Sequence, residues 1–207
     1  FSSTDKIYVT YFKRAWTVSR KDYIFMGLKF TTKAGTLALL RTKLKTAKIA
    51  PMQIFTVGEW LQDKTSCLEA ARKSFSDQSL IVRSSTNRED GLENSNAGAF
   101  LSIQNVKLTK LEPAINKVIS AFEPAVSEDE ILVQPMLTNV ICSGVAFSHD
   151  PNTCAPYRVI NWSKGIDTKT VTGGLGGKVW LQAANSKTSP RSMFTSVLSL
   201  INELLQL

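Results

Sequence analysis

Cysteine is scarce in this 207-residue chain: Cys67, Cys142 and Cys154 are odd in number, far apart and part of no Cys-x-x-Cys or Cys/His cluster. That argues against a disulfide framework or a thiolate zinc site, and fits reduced thiols in a cytosolic protein. Histidine is scarcer still, with His149 alone. No run of about 18 apolar residues occurs, so a membrane-spanning helix is not expected. The N-terminus also lacks a short apolar stretch followed by a small-residue cleavage site. Internal repeats and low-complexity tracts are missing. The usual nucleic-acid-binding motifs, and aromatics interleaved with basic residues, are missing too, so nucleic acid has only charge in its favour.

The composition is globular, 43% hydrophobic and 20% charged, enough to bury one sizeable core or two small ones. A net charge of +8, from 25 basic and 17 acidic residues, favours anionic partners such as nucleotides and phosphates without choosing among them. The chain opens at Phe1 rather than Met and ends at Leu207 inside an apolar helical pattern. It is therefore expected to be a piece of a longer polypeptide.

Residues 1–22 mix aromatics and charges without periodicity and read as a connector or the remnant of a preceding domain. Ile24 to Phe30 reads as a strand, and Leu37, Leu40, Leu44 and Ala47 follow at helical spacing until Pro51. Met52 to Val57 predicts a strand, Glu59 to Phe75 a helix, and Ser79 to Arg83 a second strand. Ser84 to Asn96 is polar throughout, a loop of a length that usually has a function. Beyond it come a strand over Ala99 to Val106, a helix carrying Leu111, Ile115, Val118 and Phe122, and a buried strand over Ile131 to Met136. Strands follow in Asn139 to Ser148 and Tyr157 to Trp162, and a last helix carries Phe194, Val197, Ile201 and Leu204. Interspersed helices with consecutive hairpin-like strands predict an α+β fold with a mostly antiparallel sheet and flanking helices. Residues 23–207 form the main region, with sub-lobes near 23–78 and 79–207.

Two segments could carry chemistry. In Leu80-Ile-Val-Arg-Ser-Ser-Thr86 an apolar strand delivers a cation to its end, followed by hydroxyls. A guanidinium there can grip phosphate oxygens in a fork, although composition alone favours Arg83 as an ion-pair partner of Glu89 or Asp90 at a strand end. In Ile131-Leu-Val-Gln-Pro-Met-Leu137, running on to Ser143-Gly-Val-Ala-Phe-Ser-His-Asp-Pro151, a strand end makes a hinge where a flat base could lie between apolar side chains. An ordinary sheet with a turn at Asp150-Pro151 fits the same residues.

Val82-Arg-Ser-Ser85, Glu89-Asp90, Asn96-Ala-Gly98, Val133-Gln-Pro-Met136 and Ser143 to Pro151, in this order and spacing, resemble the N-terminal nucleotide-binding domain of the pyruvate phosphate dikinase and phosphoenolpyruvate synthase family. Thr32-Lys-Ala-Gly-Thr-Leu-Ala-Leu-Leu40 and the strand after Pro51 extend the likeness to about residues 24–182. The resemblance implies an ATP-grasp-like fold that binds ATP with Mg2+ and phosphorylates a histidine on a separate swivelling domain, which serves a phosphoenolpyruvate/pyruvate-binding domain elsewhere in the full polypeptide. It implies phosphate contacts from Lys33 and Arg83, with Ser84 and Ser85 beside them and the loop from Ser84 to Gly98 as a cover. Gln134, Met136 and Leu137 would line the adenine hinge.

The sequence departs from the family at Thr31-Thr32, where the family has Gly-Gly, and at Gly165-Ile-Asp-Thr168, where it has Gly-Leu-Gly-Glu. The family's acidic pair and Gln-x-Arg-Pro segment have no counterpart, so the metal-binding carboxylates and the phosphohistidine are expected outside this chain, and the chain alone is expected to be inactive. His149 lies in Ser-His-Asp-Pro and reads as a turn residue rather than a phosphate acceptor. Gly173-Gly-Leu-Gly-Gly177 reads either as an amide cradle for phosphate or as a Gly-rich hairpin.

Overall fold

The structure is a computed structural model that describes residues 31–86, 101–165 and 177–207. Several expectations fall outside the described residues: the segment 1–22, the strand over 24–30, the loop from residue 87 to Gly98, Ile166 to Thr168 and Gly173 to Gly176.

Helix α1 (Lys33–Lys43) starts at Thr32, whose hydroxyl accepts the Gly35 amide at 3.0 Å. This satisfies one of the donors that every helix start leaves without a partner. Leu37 and Leu40, one turn apart, are wholly buried, and the helix stops at Lys43, short of Ala47. Strand β1 (Gln53–Thr56) follows.

The single helix expected over 59–75 is two, α2 (Val57–Gln62) and α3 (Lys64–Phe75). Asp63 causes the break. It takes a non-helical backbone (φ −149°, ψ 82°) and accepts the Ser66 amide at 3.0 Å, so it starts a new helix instead of continuing the old one. A reciprocal cap opens α2, with the Thr56 hydroxyl accepting the Glu59 amide at 3.1 Å and the Glu59 carboxylate accepting the Thr56 amide at 2.8 Å.

Strand β2 (Leu80–Ser85), strand β3 (Ser102–Val106), a turn of 3-10 helix (Leu108–Lys110), helix α4 (Leu111–Ile119) and strand β4 (Glu130–Pro135) complete the first layer pair. The sheet runs β1-β4-β2-β3, antiparallel throughout. Ile131, Leu132 and Val133 of β4 are all wholly buried, because this central strand is covered on both faces. Ile131 and Val133 join Phe55, Trp60, Phe75 and Ile115 in one cluster beneath α2–α4. Leu132 points the other way, to Ala34, Leu37 and Leu40 of α1. The buried Trp60 indole N–H donates to Asn116 at 2.9 Å, so the ring's polar atom is satisfied. The residue 78/79 division falls inside this sheet, with β1 before it and β2, β3 and β4 after it.

A second antiparallel sheet contains β5 (Cys142–Phe147), β6 (Tyr157–Lys164) and β7 (Lys178–Ala183) in that order. Gly144 lies opposite Trp162, and a Cβ there would sit 2.3 Å from the Asn161 carbonyl oxygen, so only glycine fits. Helix α5 (Ser192–Gln206) belongs to both sheets. Near its start, Phe194 packs against Trp180 at 4.9 Å and edge-on to Trp162 at 6.0 Å. Further along, Leu200 and Leu204 join the α1 cluster, and the Glu203 carboxylate accepts the amides of Lys45 at 2.7 Å and Thr46 at 3.0 Å.

Candidate functional site

The start of α1 rests on the ends of β2 and β4, and polar groups from all three meet there. Ser85, wholly buried, accepts the Ala34 amide through its hydroxyl at 2.8 Å and donates to the Glu130 carboxylate at 3.2 Å. The Thr32 hydroxyl donates to the same carboxylate oxygen while accepting from Gly35. Two first-turn amides thus end on hydroxyls, and those hydroxyls end on Glu130. A carboxylate suits a helix start, where the peptide dipoles leave partial positive charge. Lys33, the first residue of α1, reaches across and donates through Nζ to the Ser84 carbonyl at 3.2 Å.

Of the residues singled out from the sequence, Lys33, Arg83, Ser84 and Ser85 are brought together. Side chains alternate along a strand, so Arg83 shares with Ser85 the sheet face that carries α1. Arg83 lies opposite Leu132, whose side chain packs under that helix. Gln134, Met136 and Leu137 stand toward the far end of the same strand pair, where β4 leaves the sheet. Gln134 is two residues beyond Leu132, buried, with its amide 3.5 Å from the Ala50 carbonyl. The Met136 amide donates to the Ser79 carbonyl at 2.8 Å. At about 3.3 Å per residue, Met136 lies roughly 13 Å along the strand from the position of Arg83.

Thr32 and Glu130 were missed. A threonine just before an apolar periodic run is an N-cap signal that could have found Thr32. Nothing local marks Glu130, since its role depends on β4 pairing with β2 across 45 residues of chain.

On the second sheet, Ser143 Oγ and Asn161 Oδ1 are buried without a hydrogen-bond partner among the described residues. The register puts both side chains on the face away from Gly144 and Trp162. His149 stands beside a turn, its Nδ1 3.2 Å from Ser148 Oγ. Next to it, Asp150 Oδ1 accepts the amides of Thr153 at 2.8 Å and Asn152 at 2.9 Å, and these bonds hold its carboxyl below the usual aspartate value. Burial, with Glu59 and Asp63 nearby, pushes the Cys67 thiol up, which makes it a poor nucleophile. Among the described residues no group of three or more His, Cys, Asp or Glu could hold a metal ion, and no helix is long and apolar enough to cross a membrane.

These features define an α+β protein of two antiparallel sheets with flanking helices, in which a lysine-bearing helix start sits on one strand end. The sequence matches no protein-family model and no curated protein.

Proposed function

We propose that this chain is the ATP-binding portion of a phosphotransferase similar to phosphoenolpyruvate synthase and pyruvate phosphate dikinase, with an ATP-grasp-like fold. In this reading ATP supplies the phosphoryl group for a histidine on a separate domain, and Mg2+ is held with the help of carboxylates outside the chain. The observation that carries it is the Lys33 Nζ contact with the Ser84 carbonyl, which brings a second cation to the strand that bears Arg83. Two cations at one strand end, beside buried hydroxyls, suit a polyphosphate: the guanidinium grips oxygens in a fork and the ammonium adds a mobile point charge. The base would lie further along β4, near Gln134, Met136 and Leu137.

A second reading, a binding module that kept the fold and lost turnover, is favoured by Thr32 and Glu130. Where the resembled family has glycine, Thr32 places a hydroxyl on a carboxylate, and that carboxylate meets an approaching phosphate with like charge.

Calorimetric titration with ATP and with adenosine separates these readings. One charge-assisted contact contributes about 1.5 to 3 kcal/mol, so Lys33→Ala or Arg83→Ala should weaken ATP binding by roughly one to two powers of ten and leave adenosine unaffected. Arg83→Lys should recover part of the loss. Folded alanine variants that bind ATP as tightly as the wild type would remove the phosphate assignment. A wild type that binds no ATP would favour the second reading.

A further inference from the structure

Strand β3 is an open edge of the four-stranded sheet, paired only with β2 among the described residues. Beside it, against α4, runs a groove of about 450 Å³. Ile103, Val106 and Ala114 give it an apolar floor, and Lys107, Lys110 and Lys117 stand along it. None of the three lysines is within ion-pair distance of a carboxylate among the described residues, and the one acid of α4, Glu112, stands 3.8 Å from Lys64 instead. Positive charge on this wall is therefore unbalanced.

The backbone adds a second kind of valence. The Ser84 amide donates to the Leu101 carbonyl, so alternation turns the peptide groups of Ile103 toward β2 and those of Ser102 outward, before the register shifts between Ile103 and Val106, where Asn105 takes a left-handed backbone (φ 57°). Ser102 and Gln104 are exposed.

We propose that β3 and α4 form a docking groove for an extended acidic peptide, which adds to the sheet as a fifth strand. Main-chain hydrogen bonds to the edge would supply affinity and the lysines would choose the sign of the side chains. The geometry sets a spacing. Lys110 and Lys117 are seven residues apart, about 10 Å along a helix, while positions one and five of a strand lie about 13 Å apart on one face. Two acids four residues apart, with an apolar residue between them over Ala114, fit lysine side chains of ordinary reach. The groove is independent of the proposed nucleotide site, because Lys33 and Arg83 belong to the α1 face of the sheet and Ile103 and Val106 to the α2–α4 core.

Edge lysines also serve to block pairing between copies of a protein, and that role alone predicts no acidic ligand. Fluorescence anisotropy with labelled Thr-Glu-Thr-Val-Thr-Glu-Thr, titrated with the whole chain, decides between the two. Binding should weaken at least tenfold for Lys110→Glu/Lys117→Glu, checked for folding by circular dichroism. It should weaken comparably when the peptide carries N-methyl groups on alternate residues, which remove its strand donors without touching its charge. The lysine-for-glutamate peptide should not bind. Failure of the acidic peptide to bind the wild type overturns the proposal, as does equal binding of the N-methylated peptide. A single-stranded oligonucleotide that binds in a Lys110- and Lys117-dependent way while the peptide does not would overturn it in favour of a nucleic-acid surface.

Discussion

The two sheets are built from similar lengths of strand but buried very differently. In the four-stranded sheet β4 is apolar on consecutive residues and helices cover both faces, so Phe55, Trp60, Phe75, Leu80, Val82 and Ile131 share one continuous core. In the three-stranded sheet α5 packs through Phe194 on the face of Trp162 and Trp180, while on the opposite face the outer strand β7 leaves Val179 57% and Leu181 53% exposed, although Val159 beside Leu181 is buried. A strand roofed on both faces loses packing wherever it is cut, whereas a strand roofed on one face tolerates change on the other. Cohesion should therefore concentrate in the first sheet and in the part of α5 that reaches it.

The harshest way to break that contrast is Trp60→Ala. The ring is wholly buried and its indole donates to Asn116, so removal opens a large cavity and breaks that hydrogen bond. Aromatic-to-alanine losses of this kind cost about 3 to 5 kcal/mol, which should show as a large drop in the urea midpoint, or as failure to fold. A cost below about 1 kcal/mol would mean that the core under α2–α4 is loose.

Leu200→Ala comes next, at about 2 to 4 kcal/mol, because its side chain sits with Leu37 and Leu40 in the α1 cluster. Its distinctive readout is cooperativity. With the link between α5 and α1 weakened, Trp180 fluorescence should report unfolding of the second sheet at lower urea than far-ultraviolet circular dichroism reports for the whole chain, in a Trp60→Phe background that removes one competing indole. Coincident transitions would show that the two sheets are tied together elsewhere.

Part of this contrast was legible in the sequence. The run Ile131 to Val133 announced a buried strand, and the spacing of Phe194, Val197, Ile201 and Leu204 announced α5, because period and apolarity are local properties. Asp63 was misread inside a helix since its capping bond to Ser66 competes with continuation on equal local terms. Strand β7 was missed because only half of its side chains are shielded, which leaves Lys178 to Ala183 without a clear alternation. Within the candidate site, the strand end bearing Arg83 could be read directly. Its meeting with Lys33 came from the resemblance, and the Thr32–Glu130–Ser85 cluster could not be read, since it exists only once α1 crosses β2 and β4.

A smaller effect tests the same α5 link by pH. Hydrogen bonds from the Thr46 side chain, and then from the Thr46 and Lys45 amides, hold the Glu203 carboxyl below the ordinary glutamate value of 4.5. A carboxyl whose folded value is depressed contributes stability above its unfolded value and loses it as pH falls through the folded one. The stability difference between wild type and Glu203→Gln should therefore be full near pH 6 and shrink progressively below about 4.5. The group is solvent-exposed, so the difference should be at most about 1 kcal/mol. A difference that stayed constant from pH 6 to pH 3 would show that Glu203 contributes packing and not charge.

The smallest expected effect addresses the exposed side chains of β7 directly. Val179 and Leu181 alternate along β7 and share a face with Val159 and Asn161 across the β6 register. Replacing both with threonine places a β-branched side chain suited to a strand at each position and exchanges apolar surface for hydroxyls that water can reach. Since more than half of each side chain's residue surface already meets solvent, little apolar area is lost from the folded state. Exposed substitutions of this kind stay within about 0.5 kcal/mol, so the urea midpoint of Val179→Thr/Leu181→Thr should match that of the wild type. The informative control is Ile160→Thr on the same sheet, because Ile160 is buried on the face that carries Trp180. There a hydroxyl enters an apolar layer without a partner and a methyl group is lost, at a cost of about 1 to 3 kcal/mol. If the double variant on β7 cost as much as the single variant at Ile160, Val179 and Leu181 would have to be buried in the folded protein, and the asymmetry between the two sheets would not hold in solution.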